Sequence, residues 1–173
     1  MKKLMILVSA VALSGTMFAQ KGTTDNPWTL EGTVNVTTSG GVKWDVPSVR
    51  ARYFFKDNMA GRVLLNFDNS SDSTVGSSNT IGLGFEYHLA GNDKMSPYFT
   101  AGAEFGGSNK NDTKSSSLGF GIGAGLDYYV AENIYVGLEL NLLSFTSETI
   151  GDADALTNLG LGGGSAIRMG WRF

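Results

Sequence analysis

The sequence predicts an all-β fold: an eight-stranded antiparallel up-and-down transmembrane β-barrel, after an N-terminal signal peptide. Two patterns carry this prediction. Apolar residues occupy every second position in eight segments, and because side chains on a strand alternate between its faces, each segment has one apolar face. Charged residues keep to the opposite face of the same segments, so the two faces differ sharply in polarity.

The clearest segment is LGFGIGAGLDYYV, in which every second residue from Leu118 to Val130 is apolar. Each glycine disfavours a helix by roughly 1 kcal/mol relative to alanine, so the four interleaved glycines exclude a helix. A strand of this length spans about 40 Å, which suits a tilted crossing of a bilayer. Such a long apolar face needs either a matching protein layer or lipid.

The eight strands are joined by connections that alternate between long polar loops and short turns. Short turns of three to six residues are predicted after the second, fourth and sixth strands. Long loops are predicted at 69–78, 106–117 and 146–158. In chain order the strands are predicted at 28–38, 42–55, 61–68, 80–89, 98–106, 118–130, 134–142 and 159–173.

Individual strands add local detail to this pattern. The first strand begins at Trp28 and places Glu31 opposite its apolar face. The second strand changes parity at Pro47, which predicts a bulge, because proline within sheets occurs mainly at bulges and edges. The third to seventh strands each repeat the alternation, and the eighth ends on the aromatic residue Phe173.

Aromatic residues indicate that the apolar face meets lipid. They concentrate near the strand ends, with aliphatic residues and glycine between them, as expected of rings that settle at the headgroup level of a bilayer. Tyr98 is expected in the ring near the short turns, and Phe67, Phe105 and Phe120 near the long loops, with Trp44 and Phe145 if bulges turn them outward. The predicted girdle near the short turns is Trp28, Tyr53, Phe55, Tyr87, Phe99, Tyr128 and Trp171.

Charged residues of the strands share the parity of the polar face. An arginine facing lipid at mid-depth costs about 2–4 kcal/mol, so these residues are predicted to point inward. Eight strands enclose a lumen that side chains can fill, which predicts a ladder of ion pairs and a plugged lumen. The predicted lumen network is Glu31, Arg50, Arg52, Arg62, Glu86, Glu104, Asp127, Glu139, Arg168 and Arg172.

The N-terminus predicts export. Lys2 and Lys3 precede a short apolar run and a candidate cleavage site after Ala19, the plan of a secretory signal peptide, and the run is too short for a transmembrane anchor. Cleavage would move the net charge from −3 to −5, because the leader carries two lysines and no acid. The predicted domains are a signal peptide at 1–19, a short periplasmic segment at 20–27 and an outer-membrane β-barrel at 28–173.

The pattern resembles the small eight-stranded outer-membrane β-barrels of Gram-negative bacteria, the OmpA-like and OmpX-like class, often called porin-like. The most specific match is the C-terminal end, where Ile167, Met169, Trp171 and Phe173 look like the assembly signal of that class. The leader and loops are similar in composition to barrels from Bacteroidetes. The resemblance implies that outer-membrane lipid, lipopolysaccharide, the barrel assembly machinery and periplasmic chaperones are partners, and that both termini are periplasmic. It implies no nucleic-acid partner.

No catalytic, cofactor or metal site is predicted. His88 is the only histidine, and the sequence around it suggests no Ser–His geometry near the outer rim. Glu148, Asp152 and Asp154 are expected to be solvated loop acids rather than cation ligands. The predicted function is a non-enzymatic barrel that supports envelope integrity or surface interaction. A narrow porin and a lipid A-modifying hydrolase that uses His88 are the alternatives.

Overall fold

A computed structural model shows a closed barrel of eight antiparallel strands, in agreement with the predicted fold. The structure describes residues 24–36, 42–69 and 76–173; the predicted signal peptide and the first long loop's central residues lie outside these ranges. Within them, no helix is long and apolar enough to cross a membrane. The strands are β1 (Trp28–Val36), β2 (Val42–Lys56), β3 (Met59–Asn69), β4 (Ser77–His88), β5 (Met95–Lys110), β6 (Thr113–Tyr129), β7 (Ile134–Ile150) and β8 (Leu156–Arg172).

The barrel closes because β1 pairs with both β2 and β8. At the seam, Trp28 N donates to Phe173 O at 3.3 Å and Phe173 N donates to Trp28 O at 3.0 Å. A closed barrel leaves no backbone edge unpaired in hydrocarbon, which is the condition for crossing a bilayer with strands. The ends of the first and last strands therefore lie side by side.

The predicted loops at 106–117 and 146–158 are largely strand in the structure, which corrects the sequence-based prediction. β5 and β6 extend to a two-residue turn at Asn111 and Asp112, whose φ angles are 50° and 60°. β7 and β8 extend to a short connection that begins at Gly151, with φ 58°. These polar segments keep their pairing but have no apolar face, so hydrophobic alternation could not reveal them.

The described strands contain three register shifts: one lies next to the β2–β3 turn, between Phe54 and Lys56, and the other two lie within the barrel wall. The β1–β2 register shifts between Gly32 and Val34, which are opposite Val49 and Trp44, so the bulge predicted around Pro47 is confirmed in the backbone. A second irregularity lies around Leu142 in β7, between Asn141 and Leu143.

Beyond the β7 bulge, odd-numbered residues face outward. Phe145 is consequently exposed on the outer face, and its ring centroid lies 6.5 Å from that of Phe120. The conditional prediction that a bulge would turn Phe145 outward is confirmed. The side chain of Trp44 lies outside the described residues.

The barrel is apolar outside and polar inside. Leu83, Phe105 and Met169 are more than half exposed, whereas Arg52 and Arg168 are fully buried. Trp28, Tyr53, Phe55, Tyr87, Phe99 and Trp171 are exposed on the outer face near the short turns, and Tyr128 is half-buried there. Tyr98 was expected among them, but it is 1% exposed and points into the lumen.

Candidate functional site: the charged lumen

Two buried arginines form the centre of the lumen. Arg52, from β2, reaches across the barrel: its Nη1 lies 2.6 Å from Asp127 Oδ2 and 3.0 Å from Glu86 Oε2. Its Nε donates to Glu31 Oε1 at 3.0 Å, and its Nη2 also binds Glu31. Arg168, from β8, donates through Nη1 to Glu31 Oε2 at 3.0 Å and through Nη2 to Asp127 Oδ1 at 3.0 Å. The two guanidinium groups thus connect β1, β2, β4, β6 and β8.

A second layer lies next to this centre, on the side away from the short turns. Arg62 Nη1 lies 2.6 Å from Glu139 Oε2, and its Nη2 lies 3.0 Å from Glu139 Oε1, a two-pronged contact. The same Nη1 lies 3.1 Å from Glu86 Oε1, which joins the two layers. Arg50 is farther away, with Nη1 3.8 Å from Glu139 Oε2.

Tyrosines complete the network. Tyr135 OH donates to Glu31, and Tyr98 OH donates to Glu139 Oε2 at 2.9 Å. The guanidinium of Arg52 lies 5.0 Å from the ring centroid of Tyr135, within cation–π range. Each tyrosine therefore donates a hydrogen bond to an acid through its hydroxyl and contacts an arginine through its ring.

Glycines on neighbouring strands provide the space for these side chains. A Cβ at Gly137 would lie 2.8 Å from Asp127 Oδ1 and 3.1 Å from Arg168 Nη2. A Cβ at Gly125 would overlap the ring of Tyr98. The interior glycines therefore decide which long side chains fit into the narrow lumen.

His88 lies in the same region, between a serine and an acid. Its Nδ1 is 2.8 Å from Ser96 Oγ, and its Nε2 is 3.1 Å from Glu86 Oε2. The sequence predicted no Ser–His geometry near the outer rim, and His88 is indeed an interior histidine whose two ring nitrogens both have hydrogen-bond partners; the Ser–His–acid order itself was not expected. All three residues are buried, and the rings of Phe54 and Tyr98 lie 4.9 and 5.1 Å from the imidazole. His88 is therefore enclosed by side chains on the short-turn side of the network.

The predicted lumen residues fall into three groups. Eight of them form a balanced network of four arginines and four acids, described above. Arg172 is buried near the short-turn end, where its backbone pairs with that of Thr29. Glu104 lines a cavity in the other half of the lumen instead of joining the network. The eight network residues are Glu31, Arg50, Arg52, Arg62, Glu86, Asp127, Glu139 and Arg168.

The cavity beyond the network has a volume of about 590 Å³. Its walls include Asn66, Thr80 and Thr146, which lie toward the strand ends away from the short turns, and Arg62 and Glu139, which belong to the network. The lumen therefore has a filled half and an open half.

Comparisons with known proteins agree with this architecture. The family described as "Outer membrane protein beta-barrel domain" matches residues 6–173, almost the whole chain. The chain belongs to this family. It is therefore an outer-membrane β-barrel, and its apolar outer face contacts lipid.

Solved structures show the same fold as this outer-membrane barrel. The N-terminal β-barrel domain of OprF from Pseudomonas aeruginosa is similar with a TM-score of 0.55 and 17% identity, over 86% of this chain and 98% of that one. A de novo designed transmembrane β-barrel gives a TM-score of 0.51 and 18% identity, over 90% and 99%. A comparison with curated proteins found no match.

In this outer-membrane barrel, Tyr129 and Tyr135 share the parity of the polar face of their strands, but no lumen role was predicted for them, and Tyr98 was expected on the outer face. Phe54, Tyr98, Tyr129 and Tyr135 are all buried near the short turns. A signal for two of them was present: Tyr98 pairs with Gly125 and Tyr135 with Gly170, and a large residue opposite a glycine is the arrangement that a narrow lumen requires. Without the register, these pairs cannot be read from the chain.

Proposed function

We propose that this outer-membrane barrel is a non-enzymatic structural protein whose lumen is plugged, and that it supports envelope integrity and presents its outer hairpins for surface interaction. One observation carries the proposal: Arg52 and Arg168 bind acids from opposite walls and fill the cross-section of the lumen with no exposed surface. Ions would have to break these contacts to pass.

The proposed orientation places both chain ends and the short turns in the periplasm. The tall β5–β6 and β7–β8 hairpins then face outside the cell. Lipopolysaccharide and outer-membrane lipid would surround the apolar band, and the C-terminal residues Ile167, Met169, Trp171 and Phe173, all exposed on the outer face, would be read by the barrel assembly machinery after delivery by periplasmic chaperones.

Single-channel recording in a planar bilayer tests the plug. The purified barrel is expected to give no steady open events. The double variant Tyr98→Ala with Tyr135→Ala removes two large side chains from the filled half and is expected to conduct. Tyr87→Ala, which removes a tyrosine from the outer face at the same end, is the matched control and should stay silent. Steady conductance of the unaltered protein would overturn the plugged lumen.

A narrow porin for small solutes is the second candidate. The cavity of about 590 Å³ favours it, because half of the lumen is already open. Swelling of protein-loaded liposomes in small sugars separates the two functions: rapid swelling supports the porin, and swelling no faster than empty liposomes supports the plug.

A hydrolase that modifies lipid A is a weaker alternative, which the Ser96–His88–Glu86 contacts make worth testing. The mass spectrum of lipid A from cells that express the barrel is expected to match that of cells carrying His88→Ala. A mass change that depends on His88 would replace the non-enzymatic proposal.

A further inference from the structure

The cavity in the half of the lumen away from the short turns contains a buried cation, Arg50, that keeps unused hydrogen-bond donors. Arg50 is 8% exposed, and its Nε and Nη1 atoms have no hydrogen-bond partner among the residues that the structure describes. The nearest acid, Glu139, is 3.8 Å away and already accepts from Arg62 at 2.6 Å and from Tyr98 at 2.9 Å. Buried N–H groups that make no hydrogen bond are unfavourable, so Arg50, whose one ion pair is long, is suited to an incoming anionic group.

An uncommitted acid lies on the same row of the sheet. Arg50 pairs with Leu64, Leu64 with Gly82, and Gly82 with Glu104, so the row runs across the cavity wall from the cation to the acid. Glu104 is exposed to the cavity and makes no ion pair or hydrogen bond with any residue that the structure describes.

Neutral polar groups line the same cavity. The hydroxyls of Thr33 and Thr100 line the cavity, are buried, and have no hydrogen-bond partner among the described residues. The volume of about 590 Å³ far exceeds the roughly 30 Å³ that one water occupies in the liquid. Besides the paired Arg62 and Glu139, the cavity therefore combines a cation with unused N–H groups, an uncommitted acid and unused hydroxyls, in a space that can hold a small metabolite.

We infer that this cavity binds a small zwitterionic solute of the amino acid or dipeptide class, with its carboxylate on Arg50 and its ammonium on Glu104. A simple anion would be repelled by Glu104, and a simple cation by Arg50, whereas a zwitterion satisfies both. A free solute is the expected source, because the closed strands separate the cavity from the bilayer. Binding does not depend on whether the lumen conducts.

Titration by nuclear magnetic resonance tests the inference. The barrel is refolded in a non-ionic detergent, because zwitterionic detergent headgroups would compete. The chain has five arginines, so the five Nε–H signals can be resolved and that of Arg50 assigned by Arg50→Lys. Glycylglycine is expected to shift the Arg50 signal to saturation. N-acetylglycine and glycinamide, which each keep one charge, should bind about tenfold more weakly, as expected for loss of one charge-assisted contact.

Variants identify the residues responsible. Arg50→Gln and Glu104→Gln should each weaken glycylglycine binding about tenfold, measured on the backbone amides of the cavity wall. Glu132→Gln, in an exposed turn at the other end, is the matched control and should bind normally. If Arg50→Gln fails to refold, Glu104→Gln decides, since Glu104 has no described contact to lose. The inference is overturned if no signal saturates, if N-acetylglycine binds as tightly as glycylglycine, or if Glu104→Gln changes nothing.

Discussion

At the residue scale, the stability of the filled lumen depends on buried charges, each of which is paired with an opposite charge. Asp127 binds both central arginines, and its removal would leave Arg52 and Arg168 with one acid fewer in a space without water access. Removing one partner of a buried pair is far more destabilising than removing an exposed charge. Asp127 and Glu31 each bind both central arginines, so the filled half of the lumen depends on both acids.

Asp127→Ala should lower the free energy of unfolding by about 3–5 kcal/mol, because it leaves buried positive charge uncompensated. Urea unfolding of the barrel in lipid vesicles, followed by tryptophan fluorescence, measures this loss. Asp93→Ala removes an exposed acid from the turn between β4 and β5 and should change stability by less than about 0.5 kcal/mol. Equal effects of the two substitutions would contradict the assigned importance of Asp127.

Sequence parity predicted which charged residues turn inward but not their partners. Arg52 and Glu86 lie on strands that are not neighbours, so only the closed barrel brings them together. Tyr98 was assigned to the outer girdle, yet its ring is buried and its hydroxyl donates to Glu139. A tyrosine has both an apolar ring and a polar tip, so it suits a lipid interface and a charged lumen equally well.

At the scale of the element, the halves of β5 and β6 next to Asn111 and Asp112 form a long hairpin with a tight turn. A transmembrane strand needs about 9–11 residues, and β5 and β6 have 16 and 17. The sequence could not reveal this extension, because outside the lipid a strand needs no apolar face. Asn111 and Asp112 occupy the left-handed region, which asparagine and aspartate tolerate better than most residues.

Asn111→Val should destabilise the tip of this hairpin by about 1–2 kcal/mol, because a branched side chain resists positive φ. Hydrogen exchange of the amides flanking the turn, between Asn109 and Lys114, is expected to accelerate. Asn111→Gly, which removes the strain, should leave exchange unchanged or slower. Faster exchange in the glycine variant would show that the turn is held by the asparagine side chain rather than by its backbone preference.

At the scale of the whole molecule, polarity is reversed relative to a water-soluble barrel. Leu83 lies on the outer face in the middle of β4 and is 57% exposed, whereas the charged residues of the network are inside. Such an exterior is stable only in lipid. This reversal was predictable, because each strand alternates between apolar and charged or polar residues. The length of each strand and the exact register were not, because they depend on pairing between distant segments.

Leu83→Arg should destabilise the barrel in vesicles by about 2–4 kcal/mol, because it places a cation at mid-depth in hydrocarbon. Leu89→Arg, on the same side but just beyond the end of β4, should cost about 0–1 kcal/mol. Equilibrium unfolding in urea measures both. Similar costs for the two substitutions would mean that Leu83 does not lie at the centre of the bilayer.

The two tall hairpins are not independent, because β6 and β7 stay paired from Ser115 opposite Ile150 down to Tyr129 opposite Tyr135. On the proposed orientation, a molecule that approaches from outside the cell would meet one continuous four-stranded surface rather than two separate loops. Antibodies raised against the folded barrel should then recognise discontinuous epitopes and lose them on boiling. A linear peptide with the sequence of residues 106–117 would lack the shape that this segment holds in the barrel through its pairing with β7.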